Sequence, residues 1–113
     1  MLIVEIRGEK LVIPEPKDIP FLEETKKNIL EDKGNTYKYL KRAYLKFRNI
    51  EGVPLKANEK RLIVKILKDN NSIDNQIRYA CTYGTIQGAL INEIATNRNI
   101  FDNLNNGIAF YRS

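Results

Sequence analysis

Residues 36–48 read TYKYLKRAYLKFR, a segment in which five cations and four aromatic rings share thirteen positions. Cations can neutralise a phosphate backbone, and an aromatic ring can stack on an unpaired base. Lys38, Arg42 and Lys46 fall at i, i+4 and i+8, one face of a helix, with Lys41 and Arg48 beside them. Tyr37, Leu40, Tyr44 and Phe47 fall at i, i+3, i+7 and i+10, the spacing of a buried stripe. Tyr39 lies near the basic face and is the ring placed to stack. The competing reading is an ordinary amphipathic helix whose solvated face is basic. Lys60, Arg61 and Lys65, together with Lys68, extend the same surface if the two segments are neighbours.

Other chemistries are excluded by what is missing. The chain has no histidine, and its only serines are Ser72 and Ser113, so no Ser/His or Cys/His pair can form within one chain. The single cysteine, Cys81, supplies neither a zinc site nor a disulfide framework. It reads as a buried structural residue. No Gly-Lys-Ser/Thr phosphate loop occurs. Glu15-Pro16-Lys17, with Glu5 upstream, resembles half of a metal-dependent nuclease motif, but the proline is wrong for the strand that motif needs. A charged loop is the better reading. A non-enzymatic protein without metal or cofactor is therefore expected.

Charge is distributed unevenly over the 113 residues. The net +5 arises because residues 1–68 hold 16 of the 19 Lys/Arg against 10 of the 14 Asp/Glu, whereas residues 69–113 carry a net −1. The positive field belongs to the first part of the chain. No apolar run is long enough to span a membrane, and MLIVEIRGEK is charged too early for a signal peptide. With one cysteine, these features point to a reducing, cytoplasmic setting. The wealth of Ile, Asn and Lys suggests an AT-rich genome, such as a low-GC bacterium or a phage of one.

The elements that must position these residues can be read from periodicity and breakers. LIVEI (2–6) and LVI (11–13) form a hairpin turning at Arg7-Gly8-Glu9-Lys10, ended by Pro14 and Pro16. Asp18 or Pro20 opens a first helix with a buried stripe of Phe21, Leu22, Thr25, Ile29 and Leu30, which stops at Gly34. Asn35 or Thr36 caps the second helix, and Gly52 and Pro54 close the segment. Asn58 caps a third, through about Lys68, with Leu62, Ile63, Ile66 and Leu67 inward. Ser72 caps a fourth over 73–83, and a fifth runs from about 86 to 97. The tail reads as strand, turn and strand around Asn105-Asn106-Gly107, a strong hairpin signal. The fold class is α+β: mainly helical, with an N-terminal and a C-terminal β-hairpin. Residues 1–113 form one domain, divided into 1–57 and 58–113.

Residues 58–113, three helices followed by a hairpin, resemble a winged helix-turn-helix DNA-binding domain. Within QIRYACTYGTIQGALINEIA (76–95), Gln76, Ala80 and Gly84 stand at the motif's first, fifth and ninth positions. The resemblance implies close helix crossing at Ala80, a positive-φ turn at Gly84, and a second helix that enters the major groove. Counted without a gap, Thr85 and Glu93 fall on buried positions. A turn one residue longer puts Ile86, Ile91 and Ile94 there instead and is preferred. Gln87 and Asn92 then face outward and are suited to adenine. The outward face has no cation before Arg98 and carries Glu93, so phosphate contacts are expected mainly from residues 38–68.

Two classes of function remain. One is a small nucleic-acid-binding or regulatory protein, with DNA or RNA as partner. The other is a protein–protein module, a phage assembly adaptor, chaperone or inhibitor, whose exposed hairpin edges pair with another chain. A homo-oligomer suits the first class, since a homodimer would read paired half-sites.

Overall fold

The computed structural model describes residues 2–6, 8–68, 72–86 and 88–96. The expected C-terminal hairpin, Gln87 and Arg98 lie outside the described residues. The described part is mainly helical with one two-stranded antiparallel sheet. In order it comprises β1 (Leu2–Ile6), β2 (Glu9–Ile13), α1 (Leu22–Glu31), α2 (Thr36–Arg48), α3 (Ala57–Lys68), α4 (Ile73–Gly84) and α5 (Ala89–Thr96). No helix among these residues is long and apolar enough to cross a membrane.

The hairpin pairs Ile6 with Glu9 and Leu2 with Ile13, so its second strand starts two residues earlier than its apolar run suggests. Gly8, at φ 81°, permits the tight turn. Glu5 opposes Lys10, a pairing of opposite charges. The sheet is fastened to α4 through β2. Leu11 is fully buried, which is worth about 1.5–3 kcal/mol. The Val12 amide donates to Thr85 Oγ1 at 3.0 Å, and the Thr85 hydroxyl donates to the Thr82 carbonyl at 2.7 Å. Arg78 Nε donates to the Pro14 carbonyl at 3.0 Å. One edge of the hairpin is thereby held by side chains rather than by a third strand.

Between β2 and α1 the chain makes a 3-10 turn, Pro16–Asp18, in which Asp18 Oδ2 accepts the Glu15 amide at 3.0 Å. Asp18 therefore serves this turn, and α1 opens only at Leu22, with Glu23 and Glu24 in its first turn. Helix α2 has the bounds its periodicity indicates. It ends because Asn49 takes the left-handed conformation (φ 58°, ψ 40°), which Asn tolerates better than most residues. The Ile50 amide closes back on the Leu45 carbonyl at 3.3 Å. Ser72 caps α4 as expected, its hydroxyl accepting the Asn75 amide at 3.2 Å.

Helix α4 is the centre of the fold. Eight of its twelve residues are buried, so no face is left to solvent along most of its length. It touches β2, α1, α2 and α3, while α5 packs mainly on α3. One apolar cluster draws on β2 and all five helices. The α2–α4 crossing depends on Gly84. That residue is the last of α4 and does not have a positive φ, contrary to the turn role expected of it. A Cβ there would lie 2.7 Å from the Tyr44 carbonyl oxygen and 2.8 Å from Phe47 Cβ. Glycine is present so that two backbones can approach.

Three further expectations are corrected. Leu30 is 48% exposed and Leu67 37% exposed, so both stripes are narrower than the sequence implied. Helix α5 starts at Ala89 rather than 86, because Gly88 takes φ 72° and the Ile86 amide closes on the Tyr83 carbonyl at 3.1 Å. Ile86, Ile91 and Ile94 are nevertheless all buried, as the longer-turn register requires.

A buried polar network ties α2, α3 and the turn before α5 together. Glu59, only 3% exposed, accepts the Tyr44 hydroxyl at Oε2, pairs with Arg48 Nε at 3.2 Å and accepts the Lys56 amide at Oε1, 3.2 Å. Arg48 Nη1 donates in turn to the Ile86 carbonyl. Burial, followed by the Glu59 bond, pushes the Tyr44 phenol well above its ordinary value, so it stays a donor.

Two stability predictions follow from these contacts. Gly84→Ala should destabilise by about 1–3 kcal/mol despite alanine's better helix propensity, while Gly34→Ala, with open space around it, should be near neutral. Urea denaturation of both variants is the check. Arg48→Met should cost roughly 3–5 kcal/mol by leaving the Glu59 charge unpaired, and adding Glu59→Gln should recover part of that loss in the same measurement.

Candidate nucleic-acid interface

The outer face of α2 carries a row of accessible positive charge. Lys38, Arg42 and Lys46 are exposed, and Lys41 is half-buried. At 1.5 Å rise per residue, the three exposed cations step along the helix by about 6 Å each. No acid occurs in α2. Their charged ends lie near aromatic rings: Lys38 Nζ and Arg42 Cζ are each 5.6 Å from the Tyr39 centroid, and Lys46 Nζ is 4.8 Å from that of Phe21. Phe21 is itself braced edge-on by Phe47, 5.6 Å between centroids. The cation–π contacts restrict the side chains while leaving their charges at the surface. Arg42 and Lys46 also line a shallow recess of about 400 Å³ with Leu45, Glu51 and Gly52.

Tyr39, the ring expected to stack on bases, is tied down. Its hydroxyl donates to Asp32 Oδ2 at 2.9 Å, and Asp32 Oδ1 accepts Asn35 Nδ2 at 3.0 Å. The Asn35 bond first, and the Tyr39 bond second, hold the Asp32 carboxyl below its ordinary value. The same bond to Asp32 raises the Tyr39 phenol. A ring held at its hydroxyl and flanked by two cations is a support for those cations more than a free stacking platform.

Arg48 does not join this face. Its bonds to Glu59 and the Ile86 carbonyl, and its position 5.9 Å over the Tyr44 ring, place it inside. A long side chain on the last turn of α2 can reach the α3 and α5 junction, and the buried carboxylate draws it there.

Lys60, Arg61 and Lys65 form a second cluster. With Lys68, Val64 and Ala95 they line a recess of about 280 Å³ between α3 and α5. The two recesses have no lining residue in common. The α2 and α3 cations therefore line different recesses, while the Glu59 network ties the two helices together.

On α5, Asn92 is exposed and Glu93 half-buried. The Thr96 hydroxyl bonds back to the Asn92 carbonyl at 2.8 Å. The start of α5 lies against an acid: a Cβ at Gly88 would come 2.7 Å from Glu9 Oε1. A carboxylate there complements the helix dipole but repels an approaching phosphate. Elsewhere, Glu15 pairs with Lys17 at 3.4 Å in an exposed turn, and no group of three or more His, Cys, Asp or Glu in the described residues could hold a metal ion. Burial raises the Cys81 thiol far above its ordinary value.

The sequence reading missed Glu59. The available signal was a glutamate at the third position of α3, where it can reach back to the Lys56 amide. Its partnership with Tyr44 and Arg48 has no local signal. Comparison of the chain with protein-family models, curated proteins and solved structures finds no match in any of the three.

The Asp32 cluster predicts a pH response. Because the folded value is depressed, its contribution to stability is present above the ordinary carboxyl value and is lost as pH falls through the folded value. In an NMR titration, Asn35→Ala should raise the Asp32 midpoint more than Tyr39→Phe does.

Proposed function

We propose that this chain is a small non-enzymatic nucleic-acid-binding protein that grips phosphate through the outer face of α2. The observation that carries the reading is the row of exposed Lys38, Arg42 and Lys46 on a helix that contains no acid. Three cations on one rigid face release counterions when they meet a polyanion, which favours binding without sequence preference. Lys41 adds charge at the edge of the face. Lys60, Arg61 and Lys65 line a different recess, and Arg48 serves the interior.

The helix–turn–helix resemblance is kept as a proposal about shape. The burial of Ile86, Ile91 and Ile94 supports it. Reading of bases by α5 is disfavoured by Glu9 at its start and Glu93 along its length. A second reading, a protein–protein module, is favoured by Leu2 and Ile3, which are exposed on β1.

Titration of short fluorescent duplex and single-stranded DNA tests the main proposal. With about three phosphates contacted, affinity should fall roughly 40-fold between about 50 and 200 mM salt. Arg42→Glu with Lys46→Glu should weaken binding at least tenfold at low salt, while Asn92→Ala leaves it unchanged. Undiminished binding by the double variant would show that α2 is not the phosphate face.

A further inference from the structure

Five large apolar side chains are exposed among the described residues, and two of them lie on helices: Leu30 on α1 and Leu67 on α3. Each sits within a charged face, and the two faces are opposite in sign. Around Leu30 the exposed residues of α1 are Glu23, Glu24, Lys27 and Glu31, which at 100° per residue fall within about 120° of one another. This face carries three acids and one base. On the helix of Leu67, Lys60, Arg61, Lys65 and Lys68 line the α3–α5 recess with Val64 and Ala95, and no acid is among its lining residues. Lys60, Arg61 and Lys68 are exposed.

We propose that the chain self-associates head to tail, the acidic outer face of α1 in one copy seating in the basic α3–α5 recess of the next. Charge complementarity selects the occupant. A nucleic-acid backbone would meet the exposed cations but offers no branched aliphatic side chain to Val64 and Ala95, whereas Leu30 stands among the acids that would pair with Lys60, Arg61 and Lys68. The two surfaces belong to different elements: α1 packs on α2 and α4, and the recess is formed by α3 and α5. In the head-to-tail arrangement the interface is heterologous, and repetition gives a ring or an open chain of copies. One helix on a shallow recess lies at the small end of interface sizes, below about 1,200 Å², so the association is weak and concentration-dependent. It is also sensitive to salt. It leaves the α2 face uncovered and stands independently of the nucleic-acid reading.

Sedimentation velocity on the full chain, freed of nucleic acid, is the test. At low salt the average mass should rise above the 13.1 kDa monomer with concentration and return to it in high salt. Glu23→Lys with Glu31→Lys, and separately Lys60→Glu with Lys68→Glu, should each give a monomer with an unchanged circular-dichroism spectrum. An equimolar mixture of these two variants should associate again, because each acidic face then meets a basic one. Lys38→Glu with Lys46→Glu, reversed on α2, should leave self-association intact while weakening DNA binding. It should not rescue the α1 variant beyond what the wild-type chain does. A wild-type monomer at millimolar concentration and low salt would overturn the proposal, as would association that survives both reversals or a mixture that stays monomeric.

Discussion

The buried carboxylate of Glu59 is the constraint around which the rest is arranged. Taking an ion out of water costs several kcal/mol, and the cost is offset only where donors surround it. Here they are the Tyr44 hydroxyl, the Arg48 guanidinium and the Lys56 amide, drawn from α2 and from the start of α3. Arg48 carries the tie onward to the Ile86 carbonyl, and so to the turn that aims α5. One acid thereby sets the relation of three segments that are distant in sequence.

That arrangement also decides which charges face solvent. With Tyr44 and Arg48 turned toward Glu59 and Gly84 admitting the α2 backbone onto α4, the inner side of α2 is fully committed. Its opposite side holds Lys38, Arg42 and Lys46, steadied by Tyr39 and Phe21. The α2 and α3 cations differ in surroundings: one set is a row over aromatic rings, the other lines a recess with Val64 and Ala95. An acid at the start of α5 adds a third electrostatic environment, unfavourable to phosphate.

Much of the secondary structure was legible because it is set by local periodicity and breakers. Helix α2, the Ser72 cap of α4 and the N-terminal hairpin follow from spacing and capping chemistry that act within a few residues. The burial of Ile86, Ile91 and Ile94 was legible for the same reason: a polar Glu93 is a poor core residue. Errors came where two local signals compete. Asp18 could open a helix or close a short turn, and the Glu15 amide claims it. Leu30 and Leu67 fit their stripes but lie at the edge, and the neighbouring helices do not reach them.

By itself the sequence determined the N-terminal hairpin and the succession of five helices, the excess of positive charge in the first part of the chain, and the scarcity of catalytic groups, since these depend on residue type and on spacing along one segment. Only the tertiary structure decided that Gly84 serves a helix crossing instead of a turn, that Arg48 is an internal residue, and that the α2 and α3 cations line different recesses. The first two depend on contacts between residues far apart in the chain, Gly84 with Tyr44 and Phe47 and Arg48 with Ile86. Such pairings carry no local signal, because the energy that selects them exists only once the backbones have met.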